Sequence, residues 1–452
     1  MKSAVLLSTI AAATAVHGGP TATGKSKRAD LEPITVKGNA FFQGNKRFYI
    51  RGIDYQPGGA AGNIDPLADP DICLKDIAKF KKLGINVIRV YSTDNSKDHD
   101  ECMDALAEAG IYVVLDANNP LYSINREDPH GSYNTPYLQS VFATIDAFAK
   151  YPNTMAFFSG NEVIHDALNT TRTAPYVKAT DRDMRRYIKA RGYRHIPVGY
   201  SAADVTTNRM QTAHFFNCGS DEERSDFFAF NDYSWCSSDF VTSGWDKKVE
   251  DFRDYGIPLF LSEYGCNKNP RNFGEIEALM HRNMTPVYSG GLMYEYSMEP
   301  NEYGIVKIKG ADQTGEREEL PEFSAFAAAL KKWPAPTDDG GYTKTSSASE
   351  CPTKDSHWDV ESSVLPDIPE GALKFFEEGA GKGPGLDGPG SQWAVDQAST
   401  SFGGKSSSET SEDGESTSSS AAIRGTVPAL DKAPFVISGV VLFFTLVGAA
   451  AF

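Results

Sequence analysis

Residues 86–116 run Asn86-Val-Ile-Arg-Val-Tyr91, a polar turn, Glu101-Cys-Met-Asp-Ala-Leu-Ala-Glu-Ala109, and then Tyr112-Val-Val-Leu-Asp116. A short apolar run, an amphipathic helical pattern and a second apolar run make a β-α-β unit. The apolar runs are nearly continuous, which suits strands buried on both faces of a parallel sheet covered by helices. The same rhythm extends both ways from this unit. Further short apolar runs fall at 47–53, 154–159, 196–200, 227–230, 258–262 and 291–296. Helical patterns fall between them at 72–83, 136–150, 181–191, 245–255 and 273–284. Eight strand units in about 300 residues predict an α/β fold of the (β/α)8 barrel type. An open doubly wound sheet is the alternative, weakened because no glycine-rich phosphate loop follows the first strand. The runs 34–42 and 47–53, with Gly44-Asn45 between them, read as an N-terminal hairpin.

The whole chain has 452 residues, with 60 acidic against 44 basic side chains and a formal charge of −16. So acidic a chain is not built to neutralise phosphates, which argues against nucleic acid as a partner. Long apolar runs occur at the two ends, which excludes a polytopic membrane protein. Met1-Lys2 precedes an apolar, small-residue run to Val16, the pattern of a secretory leader over 1–19. Cleavage would follow Ala15 or fall near Gly18 or Gly19. Lys27-Arg28 reads equally as a processing site or a basic loop. At the far end, small residues 418–422, a polar spacer 423–432 and an uncharged apolar tail 435–452 form the signature of a GPI-anchor signal over 423–452. A C-terminal transmembrane helix is the alternative. Composition changes near residue 335. The barrel is expected over 30–335, a post-barrel segment over 336–398, and a disordered, Ser-rich stalk over 399–422.

In a barrel of this kind, chemistry sits where strands end and loops begin. Two such positions carry glutamates after apolar strands, Glu162 behind Asn161 and Glu263 behind Ser262. A carboxylate at the end of an apolar strand is costly unless it has a purpose. The two strands are expected on opposite sides of the ring, so that the carboxyls face each other over the mouth. Paired carboxylates across a sugar are the machinery of glycoside hydrolysis.

The strand ends then become specific. Arg51-Gly-Ile-Asp-Tyr-Gln56, Asn86-Val-Ile-Arg-Val-Tyr91, Asp116-Ala-Asn-Asn-Pro120 and Gly160-Asn-Glu162 lie in the first half. Phe216-Asn-Cys218, Asn231-Asp-Tyr-Ser-Trp-Cys236, Ser262-Glu-Tyr-Gly-Cys266 and Gly290-Gly-Leu-Met-Tyr-Glu-Tyr296 lie in the second. This series resembles fungal glycoside hydrolase family 72, the GPI-anchored 1,3-β-glucanosyltransferases, over residues 30–335 and in the anchor layout.

The resemblance implies that Glu162 is the general acid/base and Glu263 the nucleophile of a retaining double displacement. A β-1,3-glucan chain would be cut internally, and its new reducing end passed to the non-reducing end of another chain. Fungal cell-wall remodelling would follow. The carboxyls should lie about 5–5.5 Å apart, with Glu162 protonated and Glu263 ionised. Implied substrate contacts are Gln56, Tyr91, Asp116, Asn118 and Asn119, with Arg126 closing the run 118–126. Asn161, Asp204, Arg209, Tyr233 and Tyr294 complete them, and Tyr303 is a further sugar platform or rim packing. For Asp204 and Arg209 a mutual ion pair is the alternative.

No metal or cofactor is implied. Partners would be glucan donor and acceptor chains and, through the GPI lipid, the outer face of the plasma membrane; no obligate protein partner is implied. An endo-β-1,3-glucanase is the nearest competing activity, and a non-catalytic glucan-binding wall protein the competing class. Six cysteines in a secreted chain should pair. The barrel places Cys236 near Cys266 and Cys73 near Cys102, leaving Cys218 for Cys351, and the family pattern agrees. Asn169 and Asn283 are N-glycosylation acceptors by pattern.

Overall fold

The computed structural model describes residues 31–60 and 62–402. The expected leader, the anchor signal and most of the expected stalk lie outside the described residues. Two tight turns open the chain, Gly38-Asn39 and Gly44-Asn45, with both glycines at positive φ. Such turns favour hairpins. They join β1 (Ile34–Lys37), β2 (Ala40–Gln43) and β3 (Lys46–Phe48) into an antiparallel sheet. The expected hairpin therefore has a third strand, and the run 47–53 is divided. Its first part pairs antiparallel with β2. Its second, β4 (Ile50–Asp54), enters a parallel ladder. One extended run cannot serve both ladders, and the chain changes direction at Tyr49.

Seven further strands follow: β5 (Val87–Val90), β6 (Tyr112–Asp116), β7 (Thr154–Asn161), β8 (Val198–Ala203), β9 (Phe227–Asp232), β10 (Leu259–Tyr264) and β11 (Tyr288–Met293). With β4 they close a parallel barrel in the order β10-β11-β4-β5-β6-β7-β8-β9. The small sheet plugs its lower end. Phe41 packs 5.9 Å from Phe227 and 5.8 Å from Phe260, ring centre to ring centre. Val87, Val114 and Phe158 complete this inner core. Strand β11 passes very close to β4, and a Cβ at Gly290 would lie 2.0 Å from the Ile50 carbonyl oxygen.

The outer ring comprises α1 (Pro70–Leu83), α2 (Asp100–Glu108), α3 (Pro129–Ser132), α4 (Thr135–Phe148), α5 (Ala174–Ala190), α6 (Arg209–Phe216), α7 (Trp245–Asp251), α8 (Glu275–Leu279) and α9 (Pro321–Lys332). Asp69 and Asn134 cap α1 and α4, each accepting a backbone N–H, with proline in the first turn. Helix α8 is far shorter than the expected 273–284, because Phe273 is left-handed and the chain turns again from His281. Helix α5 starts well before residue 181, with Pro175 in its first turn. An unanticipated hairpin, β12 (Val306–Ile308) and β13 (Arg317–Glu319), is fastened to α1. There Asp76 accepts two bonds from Arg317 and one each from Tyr55 and Tyr296.

Residues 336–402 form a strap with little regular structure. The disulfide Cys218–Cys351 ties it to the loop after α6, while Cys73–Cys102 and Cys236–Cys266 join elements within the barrel layer. Trp358 is fully buried against Phe215, 5.5 Å away. A last helix, α10 (Phe375–Glu378), sets Phe375 and Phe376 against Phe142 of α4. The strap does not end at 398. Asp367 and Ser401 exchange hydrogen bonds, and Ser399 is buried. The expected stalk therefore loses its first four residues to the fold, because their polar groups have partners there. Asn169 and Asn283 are both exposed.

Trp358→Ala should lower unfolding free energy by about 3–5 kcal/mol, since a large buried ring leaves a cavity. Urea denaturation of the ectodomain measures this.

Candidate active site

The upper end of the barrel is built around a cation. Arg89 lies in β5 between Ile88 and Val90 and is fully buried. A dry guanidinium needs acceptors on every side. Nε and Nη2 bond the two carboxylate oxygens of Asp116 at 2.9 and 3.1 Å. Nη2 also donates to Asn161 Oδ1 at 3.0 Å, and Nη1 to Glu263 Oε1 and the Ser262 carbonyl, both at 3.3 Å. Its flat faces meet Tyr91 at 4.2 Å and Phe158 at 4.6 Å.

Glu263, in β10, is almost wholly buried. Tyr91 Oη donates to its Oε1 at 2.8 Å, and Tyr233 Oη donates to Oε2. Burial raises this carboxyl, Arg89 pulls it back, charge on Glu162 pushes it up and the hydroxyls of Tyr233 and Tyr91 pull it down, with a net rise to about 7.

Glu162 follows the last residue of β7 and has a left-handed backbone, φ +49°. Its N–H bonds the Ser201 carbonyl at 2.8 Å. Arg126 grips the next stretch: Nη2 donates to the Glu162 carbonyl and Nε to the Val163 carbonyl at 2.8 Å. The Glu162 side chain accepts from Asn231 Nδ2 at 2.9 Å. Strands β7 and β10 lie three places apart in the ring, with β8 and β9 between them. The expectation that they lie on opposite sides of the ring is therefore corrected. The two intervening strands supply the bridge. Asn161 Oδ1 accepts from Ser201, Asn231 and Arg89, while Ser201 and Ser262 complete the layer with Asn231 Oδ1.

The remaining expected residues divide into groups. Asn161, Tyr91 and Tyr233 touch one or both glutamates or their bridge. Tyr294 packs edge-on with Tyr233 and Tyr303, at 6.1 and 5.4 Å, to form a half-buried aromatic trio. Asp116 is engaged by Arg89. Gln56 is buried and committed to backbone: Oε1 accepts from Tyr91 and Ser92 N–H, and Nε2 donates to Ile64. Asn119 caps its own turn through Leu121 and Tyr122 N–H, and Asn118 is half-buried beside it. Asp204 and Arg209 form an ion pair, which Lys248 joins to Asp232. Burial raises Asp204, but Lys248 and Arg209 outweigh it and hold the carboxyl below its ordinary range.

Arg89, Asn231, Ser201 and Ser262 were not among the expected site residues. The signal for Arg89 is a charged residue inside the run Val87-Ile-Arg-Val90, which a barrel interior tolerates only with partners.

A carboxyl raised in the folded state costs nothing while it is neutral in both states. It then costs stability as pH climbs from the ordinary 4.5 through about 7. Glu263→Gln is neutral throughout. It should therefore match the parent near pH 4 and exceed it above pH 7 by roughly 1–3 kcal/mol, while losing activity. Thermal melts across pH read the difference.

With this geometry in place, comparison with known proteins is informative. The family model described as Glucanosyltransferase (Glyco_hydro_72) matches residues 23–333. The 1,3-beta-glucanosyltransferase gel1 of Aspergillus fumigatus is 60% identical over 385 residues, covering 84% of each chain. The 1,3-beta-glucanosyltransferase GAS5 of Saccharomyces cerevisiae is 48% identical over 383 residues, covering 83% of this chain and 78% of that one. Among solved structures, a mutant of Saccharomyces cerevisiae Gas2p in complex with laminaritetraose and laminaripentaose superposes with a TM-score of 0.69 at 39% identity, covering 75% of both chains. Agreement in sequence over most of the chain and in the barrel leads to one assignment: the chain belongs to the glucanosyltransferase family, glycoside hydrolase family 72.

Proposed function

We propose that this enzyme cuts a β-1,3-glucan chain internally and joins the new reducing end to the non-reducing end of a second chain, with Glu162 as acid/base and Glu263 as nucleophile. The observation that carries this reading is the bridged pair of carboxyls. Glu263 is held by two phenol hydroxyls and Arg89, Glu162 by Asn231, and Asn161 ties the two holdings together. The relatives' names supply the sugar.

In the first half-reaction Glu162 gives its proton to the departing glycosidic oxygen. Glu263 attacks the anomeric carbon, and a covalent glycosyl-enzyme forms. With the proton on Glu162, one upward push on Glu263 disappears, which favours the ionised nucleophile. In the second half-reaction Glu162 takes the proton of an acceptor hydroxyl. That oxygen attacks the anomeric carbon and releases Glu263, and the configuration is retained. Tyr233, Tyr294 and Tyr303 offer ring faces and edges to sugar. Asn161 Nδ2 makes no hydrogen bond among the described residues and suits the 2-hydroxyl beside the reacting carbon. Asp116 and the run 118–126 fit the donor side, with Gln56 and Arg126 bracing the loops that carry it. Asp204, in the loop after β8, and its partner Arg209 complete the proposed sugar contacts.

The leader, sequons, disulfides and anchor signal support secretion and GPI attachment at the outer face of the plasma membrane, next to the wall. The ectodomain should be incubated with one purified β-1,3-gluco-oligosaccharide and the products resolved by size. Products longer than the substrate are expected; shorter products alone would make the enzyme a hydrolase. Glu162→Gln and Glu263→Gln should each lower the rate by about 10³-fold or more.

A further inference from the structure

Tyr233 holds one oxygen of Glu263, yet it lies just outside the regular part of its strand. The last ladder pair of β9 joins Asp232 to Tyr264, and Tyr233 is the first residue beyond it. Its two chain neighbours are fastened instead, both to Lys248 of α7. Lys248 Nζ donates to Asp232 Oδ2 at 2.5 Å and to Ser234 Oγ at 3.3 Å. Asp232 Oδ1 accepts from the Ser234 N–H at 2.9 Å and from its hydroxyl at 2.6 Å. Residues 232 and 234 are thus locked to each other and to the helix, with Tyr233 between them.

The third ammonium hydrogen goes to Asp204 Oδ2 at 2.6 Å, so all three are used. Lys248 and Asp232 are both buried, and lysine is seldom buried without such partners. Three residues earlier on the same helix, Trp245 is fully buried and packs 4.8 Å from Trp235, the residue after Ser234. That spacing puts Trp245 and Lys248 on one helix face, so α7 grips the run 232–235 at both ends. The other charged or titratable groups at the cluster are Arg209 of α6, Tyr288 of β11 and Asp251 of α7. At the far end of this chain of contacts, Tyr233 Oη donates to Glu263 Oε2, and its ring meets Tyr303 at 5.5 Å and Tyr294 at 6.1 Å.

We propose that Lys248 is a positioning residue for the transfer reaction: by locking Asp232 and Ser234 on either side of Tyr233, it aims the Tyr233 hydroxyl at the nucleophile. This role rests on Glu263 being that nucleophile. A loosened Tyr233 gives up a hydrogen bond that favours the ionised carboxylate, and Glu263 then keeps its proton to higher pH. An ion pair that merely braced the barrel would change stability and leave that titration alone.

Variants of the ectodomain test the role. Lys248→Met alone would strand a buried Asp232, so it is combined with Asp232→Asn, which keeps the net charge of the cluster. This pair should lower kcat/KM about 10–100-fold, the span of one hydrogen bond to a charged group. It should also move the acid limb of the pH profile up by about one unit. Tyr233→Phe should show the same loss and the same shift. All three changes together should lie within about threefold of Tyr233→Phe, because they act on one contact. Losses that multiply in full, or an acid limb that stays in place in the pair, would overturn the proposal. Ser234→Ala is the milder probe should the pair fold poorly. It removes the hydroxyl that joins Lys248 to Asp232, keeps every charge, and should move the limb in the same direction with a loss of about threefold. A limb that stays put there counts equally against the role. Crystal structures of the pair or of Ser234→Ala should show Tyr233 Oη withdrawn from Glu263 Oε2, and an unmoved contact would refute the proposal whatever the rates. Substantial activity in Glu263→Gln would instead remove the nucleophile assignment, and the crystallographic result would stand apart from it.

Discussion

A guanidinium without water is the constraint to which the upper barrel answers. Arg89 has no solvent to fall back on, so strands around the ring must present acceptors at the right height. Asp116 supplies two oxygens from β6, Asn161 one from β7, and Ser262 and Glu263 two more from β10. One side chain thereby sets the relative height of four strands. A lysine could not do this, because a point charge lacks the planar fork that engages both Asp116 oxygens while reaching three other residues. The cation also makes an interior with Asp54, Asp116, Glu263 and Glu295 electrostatically tolerable. Burial raises the Asp116 carboxyl, and Arg89 is what resists it.

The two glutamates are held in different ways, and the difference suits the separate tasks proposed for them. Glu263 is fixed at its carboxyl by three donors and is nearly dry. Glu162 is fixed mainly at its backbone, by Ser201 on one side and Arg126 on the other, with one amide on the carboxyl. A nucleophile must sit at a set distance from one carbon. An acid that becomes a base must accept a proton, lose it and meet two different oxygens. Fewer fixed partners on the carboxyl leave that exchange open.

The barrel was legible in the sequence because its strands are apolar on both faces. That feature makes 86–91 and 112–116 stand out, and it follows from burial alone. Both glutamates were legible for the opposite reason, as charges at the ends of apolar runs. Arg89 was not, although it sits in a quoted motif, because its partners come from strands 27 to 174 residues away. Gln56 and Arg126 were read as sugar contacts from the motifs around them, while their side chains brace backbone. The strap's tie through Cys351 was legible, but its packing was not, for a related reason. Its Gly-rich, Pro-rich composition resembles linker, and its order comes from single anchors such as Trp358 and Phe375 seated on distant helices. Helix α8 shows the limit of periodicity, since one left-handed residue at Phe273 cuts a pattern that 273–284 otherwise supports.

The loop carrying Arg126 has two neighbours, one close in sequence and one far. On one side its guanidinium clamps the backbone at Glu162. On the other, Asn125 bonds Gln392 across a sequence separation of 267 residues, and the Ser123 carbonyl accepts from the same side chain. A ribosome delivers the first neighbour early and the second only as the strap's last turns emerge. Contacts of such separation are slow to close. The loop that clamps the Glu162 backbone is thus completed last, once the strap has been made and has closed over it.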